Sequence, residues 1–272
     1  MTAAVEHDAR AAAPLAPVTA TLRAIFGTST RLPGLAPDLL VDDRAGWLPA
    51  TELVNGNRLP DLLDAAARRW NAQPHAAAAL AWKAYTYWLA LPAVLAWVSS
   101  RRVPLLRPAD VLVHFEDHRP LITIGLDRDI TVAVLPSDPL AVSGLPQVRV
   151  VADEAQLLAL LRASLLDEHL TPLLDTIHEA HVRVGNRTLL GSVASGVAYG
   201  ILRAADVVPG PTAENVGVLL SALGVQDLIE LVPGPDGALA VQRKTCCLAF
   251  TLPQPKVCAG CCIAPQRRPA VT

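Results

Sequence analysis

The chain has 272 residues, of which 52% are apolar and only 4% aromatic, and its formal net charge is -2 at pH 7. That length suffices for one large or two small buried cores. A nearly balanced charge without a basic block or an RNA-binding signature excludes polyanion binding, so no nucleic-acid partner is expected.

Residues 1–20, MTAAVEHDARAAAPLAPVTA, are rich in alanine and proline, mix acids with bases and lack the apolar run of a signal peptide. They read as a disordered start. The body is assigned to residues 21–241. A helix is predicted over 59–71, where Leu59, Leu62, Leu63 and Ala66 recur on one side. A longer one is predicted over 75–98, kinked near Pro92, where proline removes a donor and crowds the preceding turn. Its uncharged stretch, Ala84 to Val98, is shorter than the roughly 20 residues that cross a bilayer, so the segment reads as a buried helix and the protein as not membrane-spanning. Trp82, Tyr85, Tyr87, Trp88 and Trp97 gather on it, most of them as core side chains and one or two available to a ligand pocket.

Between residues 110 and 135 the texture changes to VLVHFED, PLITIGL and ITVAVL, short β-branched runs separated by HRP and DRD, which predict an antiparallel meander. Asp153 with Gln156 three residues later predicts a capped helix start, followed by leucines at helical spacing until Pro172 kinks or ends the helix. A further helix, over about 187–205, carries Gly191, Ser192, Ala194, Ser195, Gly196 and Gly200, small residues that let another backbone approach closely. Short helices are predicted over 213–231. After the PGPDG turn at 233–237, LAVQRK reads as a strand that delivers Cys246 and Cys247 at its end. Helices, then strands, then helices argue for an α+β fold: a helical N-terminal half, a β-meander in the middle, a helical second half, and a cysteine segment, 242–272, at the edge.

All five cysteines, Cys246, Cys247, Cys258, Cys261 and Cys262, follow residue 245. Disulfides are the weakest explanation in a chain without a secretory signal. Thiolates suit zinc and iron-sulfur clusters alike. Four ligands would be arranged CC-x10-C-x2-C, from Cys246 to Cys261, with Cys262 as a spare or alternate thiol. Structural zinc usually takes each pair from a C-x2-4-C knuckle, whereas adjacent cysteines in extended backbone point to opposite sides. Using both therefore requires a local kink or a centre broader than one ion. The pattern is not a common ferredoxin spacing, so zinc and a two-iron cluster both stay open on spacing alone.

Basic residues surround the thiols: Arg243, Lys244, Lys256, Arg267 and Arg268, with no acid from Gln242 to Thr272. Such charge raises the potential of a cluster and attracts anions. Arg243, Lys244 and Lys256 are the candidate substrate contacts. His178 and His181 form an H-x2-H pair that reads better as helix-end groups than as ligands, and His114 and His118 flank the first strand of the meander. The chain contains no G-x-G-x-x-G, G-x4-G-K-[ST], G-x-S-x-G or H-E-x-x-H, so no nicotinamide, flavin or nucleotide site can be argued.

The cysteine pattern, with the basic-Thr-Cys-Cys lead of Arg243, Lys244 and Thr245, resembles the C-terminal signature of the FhuF-like ferric-siderophore reductases. Two further blocks are similar and occur in the same order, YTYWLALP at 85–92 and LLGSVASGVAYGIL at 189–202. The resemblance covers about residues 80–262 and is specific only at the cysteines, where Cys262 is a departure. It implies a cytoplasmic enzyme with a [2Fe-2S] cluster on Cys246, Cys247, Cys258 and Cys261. That enzyme would reduce a ferric siderophore, for instance of hydroxamate type, by one electron taken from an external ferredoxin or flavin reductase. No catalytic acid, base or nucleophile is then needed. The alternatives are a non-redox siderophore- or protein-binding module with a four-cysteine zinc site, and an iron-sulfur electron carrier.

Overall fold

The most apolar stretch of the chain becomes its central helix. A computed structural model describes residues 13–27, 34–115, 121–234, 237–258 and 260–263. After a 3-10 turn comes α1 (Ala16–Phe26), then β1 (Leu35–Leu40), β2 (Leu48–Pro49) and the single turn α2 (Thr51–Val54). Next are α3 (Leu59–Trp70) and α4 (Pro74–Ser100). Strands β3 (Val103–Pro104), β4 (Val111–Phe115), β5 (Ile122–Leu126), β6 (Val132–Val134) and β7 (Val148–Val150) follow. The second half holds α5 (Glu154–Arg162), α6 (Thr171–Glu179), α7 (Asn186–Arg203), α8 (Thr212–Leu223) and the hairpin β8 (Ile229–Pro233) with β9 (Leu239–Arg243). The fold is α+β, as its pattern predicts.

Helix α4 is apolar on all sides because it is covered on all sides: Trp82, Tyr85, Leu89, Ala93 and Trp97 are all buried. Among its neighbours are α1, α3 and α7. The helix runs through Pro92 to Ser100, and Arg101, in left-handed conformation, closes it. Part of the stretch read as a disordered start is ordered: Ala16 to Ala20 open α1, and Leu15 and Val18 are core residues.

The predicted meander divides. VLVHF and ITIGL pair antiparallel as β4 and β5 in a sheet of order β1-β5-β4-β2, where β1 lies parallel to β5. The third run leaves that sheet after a turn in which the Asp127 carboxylate accepts from the Asp129 N–H. As β6 it lies between β3 and β7. Val132, Ala133 and Val134 are all buried, so this run needs a neighbour on each edge and cover on each face, which an end position in a meander would not supply.

Asp153 caps α5 by accepting from the Gln156 N–H at 2.9 Å, and the Gln156 side chain reaches back to the Ala152 N–H. Beyond α5 the helix does not kink but widens: Ala163–Leu170 is π-helical and leads directly into α6, with Pro172 in the first turn of α6. A partner strand went unrecognised in the sequence, since Ile229–Pro233 fell at the end of a predicted helical stretch. It forms β8, and its pairing with β9 sets Ile229 opposite Arg243.

Candidate metal centre

Four segments build the site. β9 ends at Arg243, whose N–H donates to Gly260 O at 2.8 Å, and the N–H of Lys244 donates to Leu228 O. The chain arriving at Cys258–Cys261 is thereby laced to the end of the hairpin that leads out to Cys246 and Cys247. Gln242 tightens the same seam, its Nε2 donating to Gly260 O and Cys261 O. Gly260 has φ +66, and a Cβ there would run into the Val241 carbonyl, so this close approach requires glycine.

The local kink that adjacent cysteine ligands demand is present. Leu248 adopts a left-handed conformation (φ 61) and turns its N–H back onto Cys246 Sγ at 3.2 Å, and a 3-10 turn, Ala249–Thr251, follows. Cys247 is buried beside Leu80 of α4, Ala249 and Leu252, with Trp70, Ala72 and Cys258 against them. Its sulfur lies 3.7 Å from Cys258 Sγ. Two thiolates on one tetrahedral metal with bonds of about 2.3 Å would stand roughly 3.8 Å apart. The pair already has that bite.

The hydrogen bond with Cys258 is the main cause that draws the Cys247 thiol well below its usual range, helped by the Ala249 N–H and the charges of Lys83 and Arg243. Cys258 moves upward as it keeps the shared proton. Cys262 is raised chiefly by burial, then by the neighbouring Cys246 and Cys261. Cys247 and Cys258 thus form one paired group of thiols. Cys247 and Cys261 are buried, while Cys246, Cys258 and Cys262 reach partly to the surface. Among the described residues no three His, Cys, Asp or Glu side chains converge as a single ion would require.

The walls come from distant parts of the chain. Trp82 of α4 donates its indole N–H to Leu189 O at 2.8 Å and locks α4 to α7. On α7, Gly191 leaves the space that Thr245 fills. Arg243 donates from Nη2 to Ser192 Oγ at 3.2 Å. Expected as a surface group that attracts anions, Arg243 is only 1% exposed, so it faces the thiols from inside and cannot meet a substrate. Lys244 and Lys256 are exposed. Arg267 and Arg268 lie outside the described residues.

Sequence reasoning missed Lys83, Ser192, Tyr199 and Gln242. Lys83 is the single charged residue in α4 before Arg101, which was a usable signal; Tyr199 and Ser192 sit within an ordinary small-residue helix and carry none. The remaining candidates are elsewhere. His178 Nε2 bonds Val184 O at 2.8 Å just past the end of α6, a closing contact, and His181 is an exposed residue with φ 59. His114 bonds Gly46 O and packs on Trp47. His118 falls outside the described residues. Trp82, Tyr85 and Trp97 are core, and Tyr87 and Trp88 are half-buried.

No family model matches this chain, and no curated protein matches it. No helix among the described residues is long and apolar enough to cross a membrane.

Proposed function

We propose that this protein is a cytoplasmic one-electron reductase of ferric siderophores, with Cys246, Cys247, Cys258 and Cys261 holding a [2Fe-2S] cluster. One observation carries the reading. Two of the sequence blocks similar to the FhuF-like family, far apart in the chain, meet at one site: α7 brings Gly191, Ser192 and Tyr199, and the segment after β9 brings the thiols, while the block at 85–92 packs on α7 with Tyr87 against Gly196 and Leu91 against Gly200.

The donor set fits such a cluster, since four soft sulfur donors lie in one segment and two of them, Cys247 and Cys258, already stand 3.7 Å apart. The bound cluster would supply one electron at a time. The chain's own residues do the rest. Cys247 and Cys261 anchor the centre from the buried side. Cys246 and Cys258, half exposed, bring sulfur within reach of a bulky chelate that stays outside the protein. Lys244 and Lys256 attract anionic chelates. The substrate is ferric iron in hard oxygen donors, which hold Fe(III) far better than Fe(II), so one electron loosens the complex. Because the sequence contains no nucleotide motif, the electron comes from a separate donor such as a ferredoxin or a flavin reductase.

Anaerobic reconstitution with iron and sulfide tests this. The protein should turn red-brown, with visible bands that bleach on dithionite and recover on adding a ferric hydroxamate. Serine at position 246, 247, 258 or 261 should abolish the colour, and Cys262→Ser should leave it. A colourless protein that binds stoichiometric zinc through the same cysteines would replace this reading with a structural zinc module. A coloured protein indifferent to ferric chelates would be an electron carrier.

A further inference from the structure

Arg243 presents an electrostatic problem that no carboxylate among the described residues solves. Its guanidinium remains charged at any pH the fold meets, and a buried charge costs several kcal/mol unless a negative group compensates it. Its hydrogen bond to Ser192 Oγ joins it to a neutral hydroxyl. Its Nε and Nη1 are buried and meet no acceptor among the described residues. The sequence from Gln242 to Thr272 contains no carboxylate to pair with it. Its backbone N–H is bonded at 2.8 Å to Gly260 O, next to Cys261, so this enclosed cation lies on the seam that carries the thiols.

We propose that Arg243 is the built-in counter-ion of the cysteine-bound centre, a positioning residue whose buried guanidinium balances the thiolates and favours the reduced state. The inference rests on the metal centre proposed above. Metal binding holds every ligand as a thiolate and so brings in more negative charge than the metal-free thiols carry, and each added electron deepens it. The backbone N–H of Arg243 is held by Gly260 O and its side chain by Ser192, so the cation cannot swing out to water when the site is empty of metal. The cation is therefore balanced more fully in the loaded fold than in the metal-free one.

The full chain is compared as wild type, Arg243→Met and Arg243→Lys. Freed of metal in reductant and chelator, the Met variant should lose less thermal stability than it loses when loaded, because the cation has fewer thiolates to balance there. Loaded with iron and sulfide, it should show a reduced-to-oxidised ratio at least tenfold lower at fixed potential, a fall of about 59 mV for a one-electron couple. The Lys variant should recover more than half of that shift. A Met variant with the wild-type potential would overturn the proposal, as would one that loses the same thermal stability with and without metal, the mark of mere packing. If the Met variant does not fold, the Lys variant decides: a potential within a twofold ratio of wild type supports the charge, and a potential lowered tenfold despite the retained charge refutes it. Should the protein bind zinc and no iron, the reductase reading fails separately. Arg243 is then judged by zinc affinity in competition with a chelating dye, where the Met variant should bind at least tenfold more weakly and equal binding refutes the role.

Discussion

At the scale of single residues, the least visible feature was His169. It lies fully buried in the π-helical stretch, with Nδ1 against Leu106 O at 2.7 Å and Nε2 against the Tyr85 hydroxyl at 2.6 Å. A carbonyl only accepts, so Nδ1 carries the proton and Nε2 accepts from Tyr85. Burial, countered in part by the Leu106 carbonyl, lowers His169 from 6.5 to about 4. The unfolded chain therefore binds a proton that the folded chain refuses between those values. The stability is complete above pH 6.5 and is lost as pH falls toward 4, on the order of 3 kcal/mol over the window. Urea unfolding of wild type and His169→Gln from pH 7.5 to 4 should show a shallower acid decline in the variant. Parallel declines would assign the slope to other groups. In the sequence His169 sits four residues after Leu165 on an apolar face and reads as nothing more than an interruption, because its partners come from α4 and the loop before β4. The cysteines were legible because five soft donors crowd into one short segment, a property of the sequence itself. The inward direction of Arg243 was not, because a basic residue beside four thiols is equally compatible with a surface position.

At the scale of elements, the helices with strong one-sided periodicity were read to within a few residues: α3 was predicted at 59–71 and runs Leu59–Trp70. Strands were harder. β6 left the expected meander, and β8 went unread, because a three- to five-residue strand is defined by its partner more than by its own residues. The hairpin β8–β9 and the returning thiol segment depend on glycine at one position. Gly260→Ala adds about 1–2 kcal/mol for the left-handed backbone and drives a methyl group toward the Val241 carbonyl. The segment bearing Cys258 and Cys261 should lift from β9. Metal content after reconstitution should fall severalfold while far-UV circular dichroism stays unchanged; full metal occupancy in the variant would show that the seam is dispensable.

At the scale of the whole molecule, charge is distributed unevenly. The chain as a whole is slightly acidic, yet it has no acid from Gln242 onward, and Lys244 and Lys256 are exposed there. A field of this kind steers anions and is weakened by salt. Replacing both lysines by glutamine should slow the reduction of an anionic ferric chelate about tenfold at low ionic strength. The difference should vanish near 1 M salt, where the Debye length is about 3 Å, and a neutral ferric chelate should react equally with both proteins. A slowdown that salt does not erase would point to contact rather than steering.

The sequence by itself determined the α+β class, the long buried helix and the five-thiol segment, because periodicity, apolar length and donor crowding are local properties. Only the tertiary structure decided that Cys247 and Cys258 pair, that α4 and α7 wall the site, and that Arg243 is enclosed with no carboxylate partner among the described residues. Those facts depend on contacts between residues far apart in the chain, such as Trp82 with Leu189 and Arg243 with Ser192, and no local pattern records which distant surfaces will meet.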